Sequence, residues 1–253
     1  MKVTFLGTGT SQGIPIIGSD HPVCFSSNKK DKRLRVSVLL EWKDFTILID
    51  CGPDFRQQIL RTCCVKIDAV LFTHEHSDHT AGLDDLRPFY FRQGNIPIYA
   101  HKRVLKALKK RFEYIFQKKN KYPGVLTLET HAIENQSFFI NNKKITPIEV
   151  YHHKLSVFGF RVDNFAYITD AKTIAEKELE KLKNLDVLVI NALRIEPHLS
   201  HLNLQEALAL INKIRPKKAY LTHISHHLGF HDEVQKTLPK SIFLAYDQLE
   251  ITV

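Results

Sequence analysis

The sequence is short of the features that mark secreted, membrane-spanning and disulfide-rich proteins. Its 253 residues contain only four cysteines, and two of these, Cys63 and Cys64, are adjacent, which is an awkward spacing for pairing with each other. We therefore expect no disulfide framework and a reducing, cytoplasmic location. No stretch approaches the roughly 18 apolar residues that a membrane span needs, so no membrane partner is expected. The first residues also lack the hydrophobic region and cleavage site of a signal peptide, which disfavours secretion.

Internal repeats, low-complexity tracts and flexible linkers are absent as well. We therefore predict a single domain over residues 1–253. A chain of this length buries a sizeable core without disulfide bonds. Cys51 and Cys63 are expected to be small residues of that core.

Positive charge and histidine are abundant. The chain has 36 Lys and Arg against 27 Asp and Glu, a formal net charge of +9, and 14 histidines that are clustered. A net positive charge suits a polyanionic partner or a phosphate-bearing substrate, although many basic proteins bind neither. Clustered histidines point toward metal, because neutral imidazole is the commonest metal-ligating side chain.

Hydrophobic periodicity predicts strands first and a helix after them in the first half of the chain. The predicted strands span residues 3–6, 36–42, 45–49 and 69–73, with a tight hairpin turn at Lys43 and Asp44 between the second and third. A helix is predicted over 103–119, where apolar residues recur on one face. Its other face carries lysine and arginine, which we interpret as a solvent-exposed surface.

The second half repeats this order. Strands are predicted at 138–140, 145–150, 158–162, 165–169, 186–190 and 219–222. Helices are predicted at 173–182 and 204–214, the latter terminated by Pro216. Strand-rich segments followed by helices, twice over, predict an α+β fold in which two sheets pack face to face with helices outside, an αββα four-layer sandwich.

The run THEHSDH at residues 73–79 carries the strongest chemical signal. It follows a short apolar run, so it is expected where a buried strand ends and a loop begins. Side chains two residues apart lie on the same side of an extended chain, so His74 and His76 point the same way. A turn after them would bring Asp78 and His79 to face a neighbouring point. This arrangement suits two adjacent metal ions.

This His-X-His-X-Asp-His string resembles the signature of the metallo-β-lactamase superfamily, and the resemblance extends over the whole chain. The glycine-rich turn at residues 7–11 resembles the family's opening, and Asp50-Cys51-Gly52 resembles its Asp-X-Gly turn. The remaining ligand positions are matched in order by His152, Asp170 and His223. The sequence THISH at 222–226 is similar to the PhnP-like phosphodiesterases, relatives of tRNase Z that hydrolyse cyclic phosphodiesters such as phosphoribosyl 1,2-cyclic phosphate.

The resemblance implies two divalent metal ions, Zn²⁺ or Mn²⁺, with a bridging hydroxide that attacks the phosphodiester. It assigns His74, His76 and His152 to one ion. It assigns Asp78, His79 and His223 to the other, with Asp170 as the bridge and Asp78 also counted among the catalytic residues. His153 is the alternative to its neighbour His152, which we choose because the family's histidine stands directly before an X-Lys-Leu sequence.

A proton donor is also implied, because an alkoxide leaving from phosphorus needs a proton or a positive charge nearby. The segment 197–204 contains the histidine that the phosphodiesterase and tRNase Z relatives place over the metals. His201 matches that position, and His198 is the alternative.

A second, structural zinc site is the point at which this sequence departs from its relatives. PhnP-like proteins carry a Cys-X-Cys-X-X-Cys cluster after the first strand, and here the first two cysteines are replaced by Ser19 and His21. His21, Cys24 and His226 remain as ligands for a mixed His/Cys zinc site, with Asp20 or water as the fourth. The alternative is that the site is lost and that these are ordinary loop residues.

The leading functional prediction is a metal-dependent hydrolase, a phosphodiesterase acting on a small or cyclic substrate. A tRNase Z-like RNA endonuclease is the alternative, but that group carries a long flexible arm between the third histidine ligand and the bridging aspartate. Only residues 154–169 lie in that interval here, so an RNA partner is disfavoured. A non-catalytic nucleic-acid-binding scaffold is a weaker alternative, and a di-iron oxidoreductase is disfavoured because those relatives carry an acidic residue at the position of His76. A homodimer is compatible with the sequence.

Overall fold

Two β-sheets packed face to face form the centre of the fold in the computed structural model, which describes residues 1–117 and 121–253. The seven-stranded sheet has the order β15-β1-β2-β3-β4-β5-β6, and the other has the order β11-β8-β9-β10-β12-β13-β14 with β7 paired to β8. The strands are β1 (Lys2–Gly7), β2 (Ser37–Glu41), β3 (Thr46–Ile49), β4 (Ala69–Leu71), β5 (Ile96–His101), β6 (Leu128–Ile133), β7 (Phe138–Ile140), β8 (Lys143–His152), β9 (Leu155–Val162), β10 (Phe165–Ile168), β11 (Thr173–Ile174), β12 (Val187–Asn191), β13 (Lys218–Thr222), β14 (Ile242–Leu244) and β15 (Glu250–Thr252).

Helices cover the outer faces of both sheets. The α-helices are α1 (Pro22–Phe25), α2 (Phe55–Leu60), α3 (Ser77–Thr80), α4 (Arg87–Gln93), α5 (Lys102–Arg111), α6 (Glu113–Phe116), α7 (Glu176–Leu179), α8 (Leu204–Ile214) and α9 (His231–Thr237). Short 3₁₀ turns occupy Lys29–Asp31, Leu83–Leu86, Glu180–Leu182 and His226–Leu228. In the described residues, no helix combines the length and the apolar character that crossing a membrane requires.

Three apolar clusters separate these layers, as expected when each sheet buries both faces. The central cluster joins the inner faces of the two sheets, where Phe5 of β1 and Phe160 of β9 are fully buried. A second cluster packs the first sheet against α2, α4 and α5, and a third packs the other sheet against α8. The predicted αββα four-layer sandwich is therefore confirmed.

Most predicted elements are present, and two helices differ from the prediction. The helix predicted over 103–119 ends at Arg111, because Phe112 leaves the helical conformation with φ −115° and ψ 44° and a separate turn, α6, follows. The end of that prediction, including Lys118 and Lys119, lies outside the described residues. The helix predicted over 173–182 is instead the short strand β11 followed by α7 and a 3₁₀ turn. Cys51 is buried as expected, but Cys63 is exposed rather than in the core.

Parallel pairing sets the position of the functional residues. Strands β3, β4 and β5 run parallel in the first sheet, and β10, β12 and β13 run parallel in the second. Ligands in α/β sheets bind beyond the carboxyl ends of parallel strands. In this fold, the predicted metal-binding motif follows β4, Asp170 follows β10 and His223 follows β13, so all three lie at the same edge of the sandwich.

Candidate metal centre

The histidine-rich motif leaves β4 as an extended segment and then turns into α3. Both His74 and His79 are completely buried. The turn at Gly52 packs against α3, and Cys51 N donates to His79 O at 2.8 Å. A Cβ atom at Gly52 would lie 2.1 Å from the Asp78 carbonyl oxygen, so only glycine permits this close approach.

Donor atoms of the predicted ligands lie at distances that suit a shared cation. Nε2 of His74 is 3.0 Å from Nδ1 of His76, and Nε2 of His79 is 3.2 Å from a carboxylate oxygen of both Asp78 and Asp170. In the same way, Nε2 of His223 is 3.2 Å from Oδ1 of Asp170. Two donors on a tetrahedral zinc ion with bonds of about 2.0–2.1 Å are roughly 3.3 Å apart, so these spacings fit metal coordination.

The hydrogen bonding of these histidines supports the same conclusion. Nε2 of His79 and Nε2 of His223 are buried and have no hydrogen-bond partner among the described residues. Leaving a buried polar atom unsatisfied costs free energy, and a bound cation would satisfy both. Burial, followed by the neighbouring His79, lowers the pKa of His74 well below its usual value and keeps it in the neutral form that binds metal.

The carboxylates are held in the charged form. Burial alone would raise the pKa of Asp170, but His223 and His79 more than offset it and bring the pKa well below its usual range. Burial likewise acts to raise the pKa of Asp78, and His79 overcomes it and lowers that pKa. A buried and a partly buried carboxylate that remain ionised among histidines are an arrangement that suits cation binding.

Asp50, at the end of β3, orients ligands that lie on the β4 loop. His79 Nδ1 donates to Asp50 Oδ2 at 2.6 Å, which leaves Nε2 of that ring directed at the cluster. Thr73 Oγ1 donates to the same carboxylate at 2.9 Å and accepts from His74 Nδ1 at 3.0 Å. Such outer hydrogen bonds fix the tautomer and the ring orientation of metal ligands. The sequence prediction gave Asp50 no role, although a buried acid at a strand end was the available signal.

His152 joins the cluster from the end of β8, whereas His153 does not. The His152 ring centroid lies 5.4 Å from that of His76, and its Nδ1 donates to Ser200 O at 2.8 Å. His153 is exposed and has a positive φ of 56°. The structure thus brings the histidine that we chose into the cluster and leaves the alternative outside it.

His201 lies over the cluster on a loop that two backbone hydrogen bonds hold in place. Leu202 N donates to Ala171 O, next to Asp170, and Leu193 N donates to Leu202 O. The His201 ring is 4.4 Å from the His152 ring and 4.7 Å from the His223 ring, centroid to centroid. Burial, with a further contribution from His223, lowers the pKa of His201 to about 2.

The alternative His198 lies on the far side of His201 from the metal ligands, with 5.2 Å between the two ring centroids. Its Nδ1 accepts from Ser200 N. His198 thus lies farther from the ligands than His201 does.

All seven predicted ligands therefore lie in one cluster. It contains three groups of three residues, and within each group the donor atoms lie within 4.8 Å of one another. These groups are His74, His79 and Asp170; Asp78, His79 and His223; and His152, Asp170 and His201. Asp170 belongs to two of the groups, and its two oxygens face different histidines. The third group places a donor atom of His201 within 4.8 Å of donor atoms of His152 and Asp170.

The predicted second site is only partly assembled. The ring of His21 is 4.9 Å from that of His226 and 5.4 Å from that of His227, a residue that the sequence prediction did not include. Cys24 is buried in α1, and Nδ1 of His226 is buried without a hydrogen-bond partner among the described residues. In the described part of the chain, no three donors from this group lie within 4.8 Å of one another.

Comparison with known proteins gives two consistent results. Residues 46–224 match the β-lactamase superfamily domain. The structure superposes on a crystal structure of a diphosphatase from the PhnP family with a TM-score of 0.93 and 38% sequence identity, covering 100% of this chain and 97% of the other.

Two curated proteins are also similar. An octanoyltransferase of Porphyromonas gingivalis (strain ATCC BAA-308 / W83) is 39% identical over 256 residues, which is 100% of this chain and 52% of that protein. A ribonuclease Z of Prochlorococcus marinus (strain AS9601) is 29% identical over 168 residues, which is 64% of this chain and 49% of that protein. The chain thus spans about half the length of the curated relatives that it matches.

Proposed function

The chain belongs to the metallo-β-lactamase superfamily, and from that premise we propose that it is a dinuclear metal-dependent phosphodiesterase that cleaves a small or cyclic phosphodiester. The observation that carries the proposal is the shared carboxylate of Asp170. Its oxygens lie 3.2 Å from Nε2 of His79 and of His223, and the carboxylate also lies within 4.8 Å of donor atoms of His74 and of His152. A carboxylate between two groups of donors suits a bridge between two cations. The histidine and carboxylate donors suit Zn²⁺ or Mn²⁺.

His74, His76 and His152 would hold one ion, and Asp78, His79 and His223 the other. When bound, two such ions lower the pKa of a water molecule and stabilise negative charge on phosphoryl oxygens. The protein's own contribution is to fix the ligands. Asp50 orients His79 directly and His74 through Thr73.

Two clefts, each lined in part by residues of the cluster, support a diester substrate. One, of about 220 Å³, is lined by His201 and His223 together with Ser11 and Arg194. The other, of about 590 Å³, is lined by His76 and His152 together with Lys154, Leu155 and Leu199. A phosphoryl group at the metal centre could therefore extend one substituent into each cleft, and both clefts carry a basic side chain for an anionic substrate.

His201 is proposed to protonate the leaving oxygen. The buried ring has its pKa lowered to about 2, so it is neutral at pH 7. Proton donation therefore requires that the negative charge of the bound diester favours the protonated ring. The position of His201 between His152 and His223 puts the ring within reach of a phosphoryl substituent.

An RNA endonuclease of the ribonuclease Z type is the second candidate, favoured by the similarity to that enzyme. The chain between His152 and Asp170 argues against it, because β9 and β10 occupy that interval almost completely and are paired antiparallel. No residues are left there for a flexible arm. The octanoyltransferase activity of the other relative is not transferred, because almost half of that protein has no counterpart in this chain.

The test is a substrate panel assayed with Mn²⁺, Zn²⁺ and Ni²⁺: bis-p-nitrophenyl phosphate, phosphoribosyl 1,2-cyclic phosphate, a diphosphate diester and a pre-tRNA. We expect hydrolysis of the small diesters, with no activity in the Asp170→Ala variant. Higher kcat/KM on the pre-tRNA than on every small substrate would establish the second candidate instead. Failure to hydrolyse any of these substrates in a fully metal-loaded protein would refute both.

A further inference from the structure

Helix α5 carries an unusually uniform charge. Its sequence from Lys102 to Arg111 contains six basic residues and no acidic one. Lys102, Lys106, Lys109 and Lys110 are all exposed. At about 100° of rotation per residue, these four fall within an arc of roughly 100°. They form one surface, which we call the lysine face.

The opposite side of α5 holds the helix in place. Val104, Leu105 and Leu108 are buried in the cluster beneath the first sheet, so the lysine face points away from the protein. Its position is therefore fixed by the core and does not depend on the lysines themselves. The lysines also form no ion pair with any residue in the described ranges.

Two arginines attach the helix to the metal-binding motif. Arg103 Nε is 3.1 Å from Glu75 Oε1, and Arg111 donates to Thr80 Oγ1 at 2.5 Å. By the same helical rotation, both arginines lie between the lysine face and the buried face. The lysine face consequently borders residues 75–80, the segment that carries His76, Asp78 and His79.

Helix stability does not explain this face. Like charges spaced by three or four residues, such as Lys102 and Lys106 or Lys106 and Lys110, destabilise a helix slightly. An ordinary solvent-exposed face would mix charges of both signs. A lipid surface is also a poor match, because no large exposed apolar side chain lies on α5 to enter a bilayer.

We propose that the lysine face of α5 binds the phosphate backbone of a single-stranded nucleic acid, adjacent to the metal centre. Ammonium groups spread along one side of a fixed helix present positive charge to a row of phosphates, and they do so without reading the base sequence. The proposal concerns a binding surface and goes beyond the reaction proposed above. It does not require that the bound strand is cleaved.

The test measures binding of fluorescein-labelled 20-nucleotide RNA and DNA to the metal-loaded protein by fluorescence anisotropy, between 50 and 300 mM KCl. The variant replaces Lys106, Lys109 and Lys110 by glutamine. The matched control replaces Lys43, Lys144 and Lys218, three exposed lysines near the strand ends opposite to the metal centre. Each variant lowers the formal net charge by three. Circular dichroism and hydrolysis of bis-p-nitrophenyl phosphate check that both remain folded.

We expect the α5 variant to bind at least tenfold more weakly at 100 mM KCl. The slope of log K against log[KCl] should fall by roughly 2, because each phosphate contact to a single strand contributes about 0.7. The control should keep the wild-type slope. Tighter binding of RNA or of DNA would identify the preferred strand, and either result supports the proposal.

Three results would overturn the proposal: equal losses in the two variants, no binding by the wild-type protein at 100 mM KCl, or tighter binding to vesicles with 30% phosphatidylserine than to either oligonucleotide. None of these depends on phosphodiesterase activity, so failure here is distinct from failure of the proposed reaction.

Discussion

At the scale of single residues, Asp50, Asp170 and His223 share a backbone feature. Each follows a strand of the sandwich and has a positive φ, of 62°, 57° and 54° respectively. This region costs a residue other than glycine of order 1–3 kcal/mol and recurs at functional sites. The sharp turn after each strand directs the side chain into the cluster. The backbone strain lowers the free energy of unfolding, and the ligands gain their orientation from it.

Replacing Asp50 by asparagine should weaken metal binding by about 10- to 100-fold, because the neutral amide is a weaker acceptor for His79 Nδ1–H. Competition against a chromophoric chelator measures the affinity directly. Asp54→Asn is the matched control, since Asp54 accepts from Arg35 and touches no metal ligand. Unchanged affinity in the Asp50 variant would show that this hydrogen bond does not position the metal site.

Replacing His201 by alanine should reduce kcat by roughly 10²–10⁴ on an alkyl phosphodiester and far less on a p-nitrophenyl ester, whose leaving group needs no proton. His198→Ala serves as the control, because His198 lies farther from the metal ligands. Steady-state kinetics on the two substrates gives the comparison. Equal losses on both substrates would point to a positioning role, or to metal ligation, rather than proton donation.

At the scale of elements, α1 with its N-cap residue His21 and the 3₁₀ turn at His226–Leu228 carry the residues of the expected structural zinc site. If zinc binds there, it would link the loop that contains Cys24 to the rim of the metal centre and stabilise the fold. Cys24→Ser should then lose about one zinc ion per chain and have a lower Tm, whereas Cys63→Ser, at an exposed cysteine, should change neither. Zinc content and Tm equal to wild type in the Cys24 variant would mean that the site does not exist.

The sequence predicted the elements whose pattern is local. The central strands and α8 are visible from periodicity, and α8 also has a capping box in which Asn203 and Glu206 bond each other's backbone N–H groups. The break at Phe112 was not predictable, because the apolar pattern continues through it into α6. Short strands such as β11 form only by pairing with distant segments, in this case β8, and a sequence pattern does not show that.

The same distinction applies to the candidate site. The ligands were predictable for two reasons. Some stand in one short motif, and the family resemblance gives the order in which the others follow along the chain. The bond from His79 to Asp50 and that from His152 to Ser200 O join residues 29 and 48 positions apart in the chain. Only the folded structure reveals such supporting contacts.

At the scale of the whole molecule, a buried polar network around Arg33 makes stability depend on pH. His231 Nδ1 accepts from Arg33, which is itself buried, at 3.0 Å, and burial together with Arg33 lowers the pKa of His231 to about 4. Because this value lies below the unfolded pKa of about 6.5, the neutral ring stabilises the folded state above pH 6.5. That contribution is lost as the pH falls toward 4.

The loss should amount to at most about 3.5 kcal/mol, from the difference between 6.5 and about 4 at about 1.4 kcal/mol per pKa unit. Urea unfolding of wild type and His231→Gln between pH 7.5 and 4.5, with the metal concentration held constant, measures it. The difference in unfolding free energy between the two proteins should shrink as the solution is acidified. A difference that is constant over this range would contradict the assignment.

The dinuclear centre is tested most directly by metal analysis of the purified protein, combined with the Asp170→Ala variant. Inductively coupled plasma mass spectrometry of the fully loaded wild type should find about two transition-metal ions per chain in this centre, in addition to any zinc lost on Cys24→Ser. The Asp170→Ala variant should bind fewer ions and hydrolyse no phosphodiester. An Asp170→Ala protein that keeps both ions and undiminished activity would contradict the assignment of a metal-bridging aspartate.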